Sequence, residues 1–343
     1  MRLKERIETL IQLGKELTSD NHLLQSAIQR TQQTNGWLTV ENQWHALTAI
    51  RTYFLDREHL NLWIAKYDIP ENVTPHPKTV SLVLAGNIPA VGFHDVLCVF
   101  VAGHKAKIKV SDKDPFLMPC IINNLIDINP AAAAYFEVVA GKMGDFDAVI
   151  ATGSNNSARY FESYFGKYPH IIRKNRNAVA ILTGNENEED LRKLGADIFT
   201  YFGLGCRNVS KIYVPESYNF EPLLEVLHEN KELVLHDKYK NNFDYQFTLV
   251  IMNKLKYQSN GCLMMIENEG IASPIAMIFY EHYSDFESLA QTLTHRVDEI
   301  QCLVSKKPIA GIPSFGFGEA QKPSLTDYAD GVDTLQFLLT LNS

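Results

Sequence analysis

Past residue 78 the chain alternates short β-branched runs with amphipathic stretches, and that alternation commits it to an α/β architecture built on parallel strands. The spacing predicts strands over 79–84, 105–110, 135–139, 148–152 and 179–183. Helices are expected between them at 93–102, 115–125, where Pro115 opens the first turn, and 157–165. A helix over 188–200 follows, its start rich in carboxylates (Glu186, Glu188, Glu189, Asp190), as a helix dipole favours. A second α/β series then runs through a strand at 211–214, a helix at 221–229, and strands near 246–252 and 274–280. The chain closes on an apolar helix or strand at 334–341. Ahead of all this, apolar residues such as Ile7, Leu10, Ile11, Trp44, Leu47 and Ile50 recur at helical spacing. Pro70, Pro75 and Pro77 mark an extended connector after them.

Charge and composition exclude several classes. The formal net charge is −8 with no run of Lys or Arg, so the cationic surface that drives nonspecific binding to nucleic acid or to an anionic membrane is not expected. No segment approaches the roughly 20 apolar residues of a membrane-spanning helix, and the charged start MRLKERIETL has no signal-peptide core. Five cysteines (Cys98, Cys120, Cys206, Cys262, Cys302) form an odd set without a C-x-x-C pair or metal-ligand spacing. The expectation is reduced thiols in a cytoplasmic protein, no metal, and a small-molecule substrate.

Strong signatures are absent: no phosphate-binding P-loop, no H-E-x-x-H, no G-x-S-x-G, and no G-x-G-x-x-G between strand and helix. The remaining candidates stand out by position. Asn87 follows the 79–84 strand, where it can donate to an oxyanion or simply close an Asx-turn ahead of Pro89. Lys109 ends the next strand and is read either as a nucleotide contact or as a solvated cation. Gly153 and Ser154 follow the 148–152 strand, as a helix cap or a pyrophosphate contact. Cys206 lies beyond Gly203 and Gly205, either a thiol that a substrate can reach or a small hydrophobe in a glycine turn. Gly316-Phe-Gly318 reads as loop punctuation. Three of these candidates fall at carboxyl ends of strands, where open α/β sheets bind ligands.

In chain order these residues resemble the aldehyde dehydrogenase superfamily. Gly86-Asn87-Ile-Pro89 looks like its W-N-x-P stretch, and Ala102 to Ser111 like A-G-N-x-x-x-x-K-P-S. Phe146 to Ser154 resembles its F-T-G-S strand, and Gly203-Leu-Gly-Cys206 its G-Q-x-C. Within the superfamily, Asp327 to Leu338 and the whole segment from Asn87 to Val110 resemble the fatty acyl-CoA reductases of bacterial luminescence systems.

The resemblance implies an aldehyde-dehydrogenase-like α/β fold: a helical lead-in over 1–75, a Rossmann-like cofactor domain over 76–182, a catalytic domain over 183–307, and a return to the cofactor domain over 308–343. It implies an NADPH-dependent oxidoreductase, with NAD the alternative, that reduces a long-chain acyl-CoA to the aldehyde through an acyl-cysteine on Cys206. Asn87 and the Cys206 N–H would stabilise the oxyanion, and Lys109, Ser111, Gly153 and Ser154 would hold the dinucleotide. A homo-oligomer such as a dimer is also implied. Where oxidising relatives carry E-L-G-G-K, this chain has Ile172-Arg-Lys-Asn-Arg176-Asn177, without the glutamate that activates water. An acyl-cysteine is then left for hydride. Their E-I-F-G-P is matched only by the offset Glu269-Gly-Ile-Ala-Ser-Pro274, which leaves the ribose contact unassigned. The rival readings are a reductase of another activated acid or semialdehyde, and a noncatalytic acyl- or nucleotide-binding member.

Overall fold

Two parallel sheets organise the chain, and each belongs to its own compact unit. The structure is a computed structural model and describes residues 1–341. The first unit holds Met1–Asn175 and the chain from Ser324 onward; the second holds Arg176–Pro323.

The first unit opens with four helices, α1 (Leu3–Glu16), α2 (His22–Thr34), α3 (Val40–Ala49) and α4 (Arg57–Ile64). Their starts are set by side-chain caps: Asn21 accepts from Leu24 N, Thr39 from Asn42 N, and Asp56 from Glu58 and His59 N. Next come β1 (Thr79–Val83), α5 (Phe93–Ala102), β2 (Lys105–Lys109), α6 (Leu117–Ile128), β3 (Phe136–Val138), β4 (Ala148–Thr152), α7 (Asn155–Phe165) and β5 (His170–Arg173). The sheet order β3-β2-β1-β4-β5, parallel throughout, is that of a doubly wound half. Helix α5 is buried almost all round, between Gly92 and Gly103 in left-handed backbone. A Cβ on Gly103 would lie 2.5 Å from Thr74 Oγ1, so only glycine closes the helix there.

The second unit contains β6 (Asn177–Ile181), α8 (Glu188–Phe199), β7 (Val209–Pro215), α9 (Glu221–Leu227), α10 (Asp237–Met252), β8 (Gln258–Ser259), β9 (Met264–Glu267), β10 (Met277–Tyr283), α11 (Phe286–His295), β11 (Ile300–Val304) and β12 (Ser314–Phe315). Its sheet order is β12-β11-β6-β7-β10-β9-β8, with only the β8–β9 pair antiparallel. Along β6, Ala178 and Ala180 enter one apolar cluster and Val179 and Ile181 another, so helices cover both faces. The chain then returns to the first unit with α12 (Thr334–Thr340), capped by Asp333. There Tyr328 OH accepts from Trp63 Nε1 at 2.8 Å, and Tyr67 OH donates to Asp333 at 2.7 Å.

Two expectations are corrected. The strand expected over 179–183 closes no cofactor sheet: β6 pairs with β7 and β11. Only residues 174–176 separate β5 from β6, far too few for the crossover that parallel neighbours need, so the two strands fall in different sheets. The stretch near 246–252 is helical, not extended. Its β-branched residues are the last turns of α10, whose Tyr239, Phe243 and Val250 share one inward face. Strand β5 has no counterpart among the expected elements.

Candidate active site

Strand order reverses between β1 and β4, and Val83 lies opposite Ala151 in that pair and Lys109 in the β1–β2 pair. The loops leaving β1, β2 and β4 therefore start side by side at the carboxyl edge, where ligands of such sheets bind. Asn87, Lys109, Ser111, Gly153 and Ser154 all lie on those loops or strand ends, so the structure brings five of the six residues expected from the sequence to one edge. Lys109 is exposed. Ser154 is the cap of α7, its Oγ accepting from Ser157 N at 3.2 Å. The backbone N–H groups at the first two positions of α7 keep no intrahelical acceptor.

Glycine is required at two of these points. A Cβ on Gly86 would sit 2.6 Å from Ser111 Oγ, so the β1 and β2 loops touch there. A Cβ on Gly153 would meet Ser157 Cβ at 2.8 Å and Phe161 Cε2 at 2.9 Å, so glycine lets α7 close on β4. The loop carrying Asn87 is tied down by the buried Asp114, which accepts from Ala90 N at 3.1 Å and from Leu117 N at 3.4 Å. Burial pushes that carboxyl above its ordinary range, while the two N–H donors pull it back. Ala90 itself has φ 52°, a left-handed conformation that alanine adopts only under constraint.

The segment that departs from the family pattern has a different use. Arg173 ends β5 and turns inward, where its guanidinium is paired in two-pronged fashion with Asp95 of α5 and donates to Thr334 Oγ1 at 3.0 Å. It is a buried tie between sheet, helix and the returning tail.

Cys206 lies on the second unit, in the turn from α8 to β7. Tyr201, Phe202 and Gly203 take φ of 55°, 58° and 76° in succession, a left-handed turn that two aromatic residues enter only under strong constraint. Asn208 supplies much of it. Its buried amide oxygen accepts from Gly205 N at 2.8 Å, and its nitrogen donates to the carbonyls of Thr200 (2.8 Å), Asp197 (3.1 Å) and Ile198 (3.3 Å). Behind the turn Asp197 is fully buried and accepts from Gly318 N at 2.6 Å and Ala320 N at 3.0 Å. Burial raises its carboxyl to about 6 against those two hydrogen bonds. Gly316-Phe-Gly318 is thus a loop, as expected, and one anchored on a carboxylate.

Of the five cysteines only Cys206 is exposed. Burial pushes the thiol of Cys98 well up, assisted by Asp95, raises that of Cys120, and lifts that of Cys262 to about 11. Cys302 is buried in the core. Asn208, Asp197 and Asp114 were not among the residues singled out from the sequence. Asp197 carried a signal, since it stands three residues after Leu194 on the apolar stripe of α8, where a carboxylate needs partners.

The architecture is that of the aldehyde dehydrogenases. Aldehyde dehydrogenase 21 from Physcomitrella patens, solved with succinate, superposes with a TM-score of 0.72 over 99% of this chain and 84% of its own, at 13% identity. The indole-3-acetaldehyde dehydrogenase of P. syringae, solved with NAD+, gives 0.63 over 91% and 78%, also at 13%. The resemblance to acyl reductases stands as well. A long-chain acyl-protein thioester reductase of Photobacterium leiognathi is 23% identical over 206 residues, and one of Aliivibrio fischeri 25% over 185. These matches cover 55% and 49% of this chain but only 42% and 38% of those relatives. No family model matches the chain.

Proposed function

We propose that the chain reduces a long-chain acyl thioester to the aldehyde, with Cys206 as nucleophile and a nicotinamide dinucleotide as reductant. The observation that carries this reading is Cys206 itself: the one exposed cysteine of five, on a turn locked by Asn208, in an aldehyde-dehydrogenase fold. The thiolate attacks the acyl carbonyl, a new thioester forms on Cys206, and the carrier leaves as a thiol with the proton that Cys206 gave up. Asn87 and the Cys206 N–H are assigned to the oxyanion.

The first unit's edge fits a dinucleotide. Lys109 offers an exposed cation, and the start of α7 offers backbone N–H groups that have no intrahelical acceptor beside Ser154, a favourable place for phosphate. Lys109, Ser111, Gly153 and Ser154 would hold the nucleotide, which when bound supplies the hydride that makes the acyl carbon an aldehyde and frees Cys206. We assign NADPH ahead of NADH. Residues 172–176 contain no carboxylate, which supports survival of the acyl-cysteine against water. The curated relatives are named for acyl-protein thioesters, so both a protein-bound and a coenzyme A carrier are to be tried; cytoplasmic action as a homo-oligomer completes the reading.

Intact-protein mass spectrometry with palmitoyl-CoA and with a palmitoylated carrier protein tests it. The expected result is one acyl mass added to the native chain and none to Cys206→Ser, with aldehyde formed only by the former when NADPH is supplied. Wild-type aldehyde formation by Cys206→Ser would remove the nucleophile assignment.

A further inference from the structure

Helix α10 buries only Tyr239 and Val250 of its 16 residues. Its end and the turn beyond it are apolar and open: every residue from Ile251 to Tyr257 is exposed. Met252 is 73% exposed, Ile251 51%, Leu255 47% and Tyr257 37%, and Tyr245 extends the apolar surface back along the helix at 61%. The backbone presenting them is fixed. Lys254 N donates to Ile251 O and Leu255 N to Val250 O, each at 3.1 Å, while the Phe247 ring packs edge-on against Tyr257 at 5.7 Å.

Charge completes the pattern. Lys254 and Lys256 are exposed and interleave with Met252, Leu255 and Tyr257. No Asp or Glu occurs between Tyr245 and Ile266, so this stretch departs locally from the net charge of −8 that argues against anionic membranes for the chain as a whole. Aliphatic side chains and a tyrosine flanked by lysines match the boundary between headgroups and acyl chains of a bilayer. Apolar groups bury there, while lysine stems reach back to phosphates. A second copy seated on the same patch across a two-fold would instead set each pair of lysines against its like.

We propose that the turn ending α10 docks the protein on an anionic phospholipid surface, with Ile251, Met252 and Leu255 entering the acyl boundary and Lys254 and Lys256 on headgroup phosphates. The inference is independent of the chemistry at Cys206. Sedimentation of the full chain with vesicles of phosphatidylcholine, alone or mixed with phosphatidylserine, tests it. Binding is expected to the mixed vesicles only and to weaken with salt. The pair Lys254→Gln and Lys256→Gln should lower the partition coefficient about 25-fold, roughly five-fold for each lysine. The pair Met252→Ser and Leu255→Ser, which leaves the charge untouched, should lower it about ten-fold. Leu23→Ser, at a site 67% exposed on α2, should leave it unchanged. The proposal is overturned if the native chain ignores mixed vesicles or if both variant pairs bind as it does. It is equally overturned if the serine pair converts a dimer to a monomer in sedimentation equilibrium, since the patch would then hold a second copy.

Discussion

Replacing Asn208 measures how strongly the cysteine turn is held. Its amide has two N–H groups and one oxygen, and the structure gives all three backbone partners in a site only 1% exposed. Three buried hydrogen bonds at about 1 kcal/mol each make Asn208→Ala about 3 kcal/mol less stable. The carbonyls of Asp197 and Thr200, stripped of their donor, would also release the left-handed turn at residues 201–203. Asn208→Asp sharpens the test. It keeps an acceptor for Gly205 N but points a carboxylate oxygen at those carbonyls, so at pH 8 it should be less stable than the alanine variant. That repulsion and burial raise the native carboxyl above its unfolded value of about 3.9. The native state then binds the proton more tightly, and stability must fall as pH rises from about 4 through the native value. All three tryptophans, Trp37, Trp44 and Trp63, lie in the first unit, so their fluorescence does not report on the turn. Hydrogen exchange of peptides spanning α8 and β7, across pH, does. Equal protection in native and alanine proteins, or an aspartate variant more stable than the alanine one at pH 8, would refute the assignment of Asn208.

Asp197 should leave a pH signature of its own. With a native value of about 6 against about 3.9 unfolded, its contribution is present below pH 4 and lost as pH rises through 6, about 3 kcal/mol in all. Urea denaturation across that window should show the slope in the native protein and not in Asp197→Asn. In the first unit, Arg173→Met or Asp95→Leu alone should cost about 3–5 kcal/mol by stranding a buried charge, whereas the double variant recovers most of it. Tryptophan fluorescence reads this cycle, and simply additive losses would count against the pair.

Local pattern carried much of this fold. The stretch 93–102 has a helical pattern and is α5; 148–152 has a strand pattern and is β4; the glycine turn before Cys206 is visible as Gly203 and Gly205. These features depend on near neighbours in sequence. Sheet membership does not: β6 joins β11, a strand that begins at Ile300, and nothing near Val179 encodes that partner. The same holds inside the site. Ser154 could be read as a helix cap because its partner is three residues away, whereas Asp197 needs Gly318 and Ala320, and Arg173 needs Asp95 and Thr334. The helix at 246–252 is hidden for the opposite reason: a local run of β-branched residues masks the longer spacing of Tyr239, Phe243 and Val250.

The return of the chain to its first unit sets an order of assembly. During synthesis the second unit, continuous from Arg176 to Pro323, is complete while the unit begun earlier still lacks Tyr328 for Trp63, Thr334 for Arg173 and the whole of α12 against α5. Of the two units, the one begun earlier therefore matures later. A ribosome that stops after Pro323 would release a finished second unit joined to a first unit whose apolar helix α5 lacks the cover of α12. Such products should be bound by chaperones through their N-terminal half.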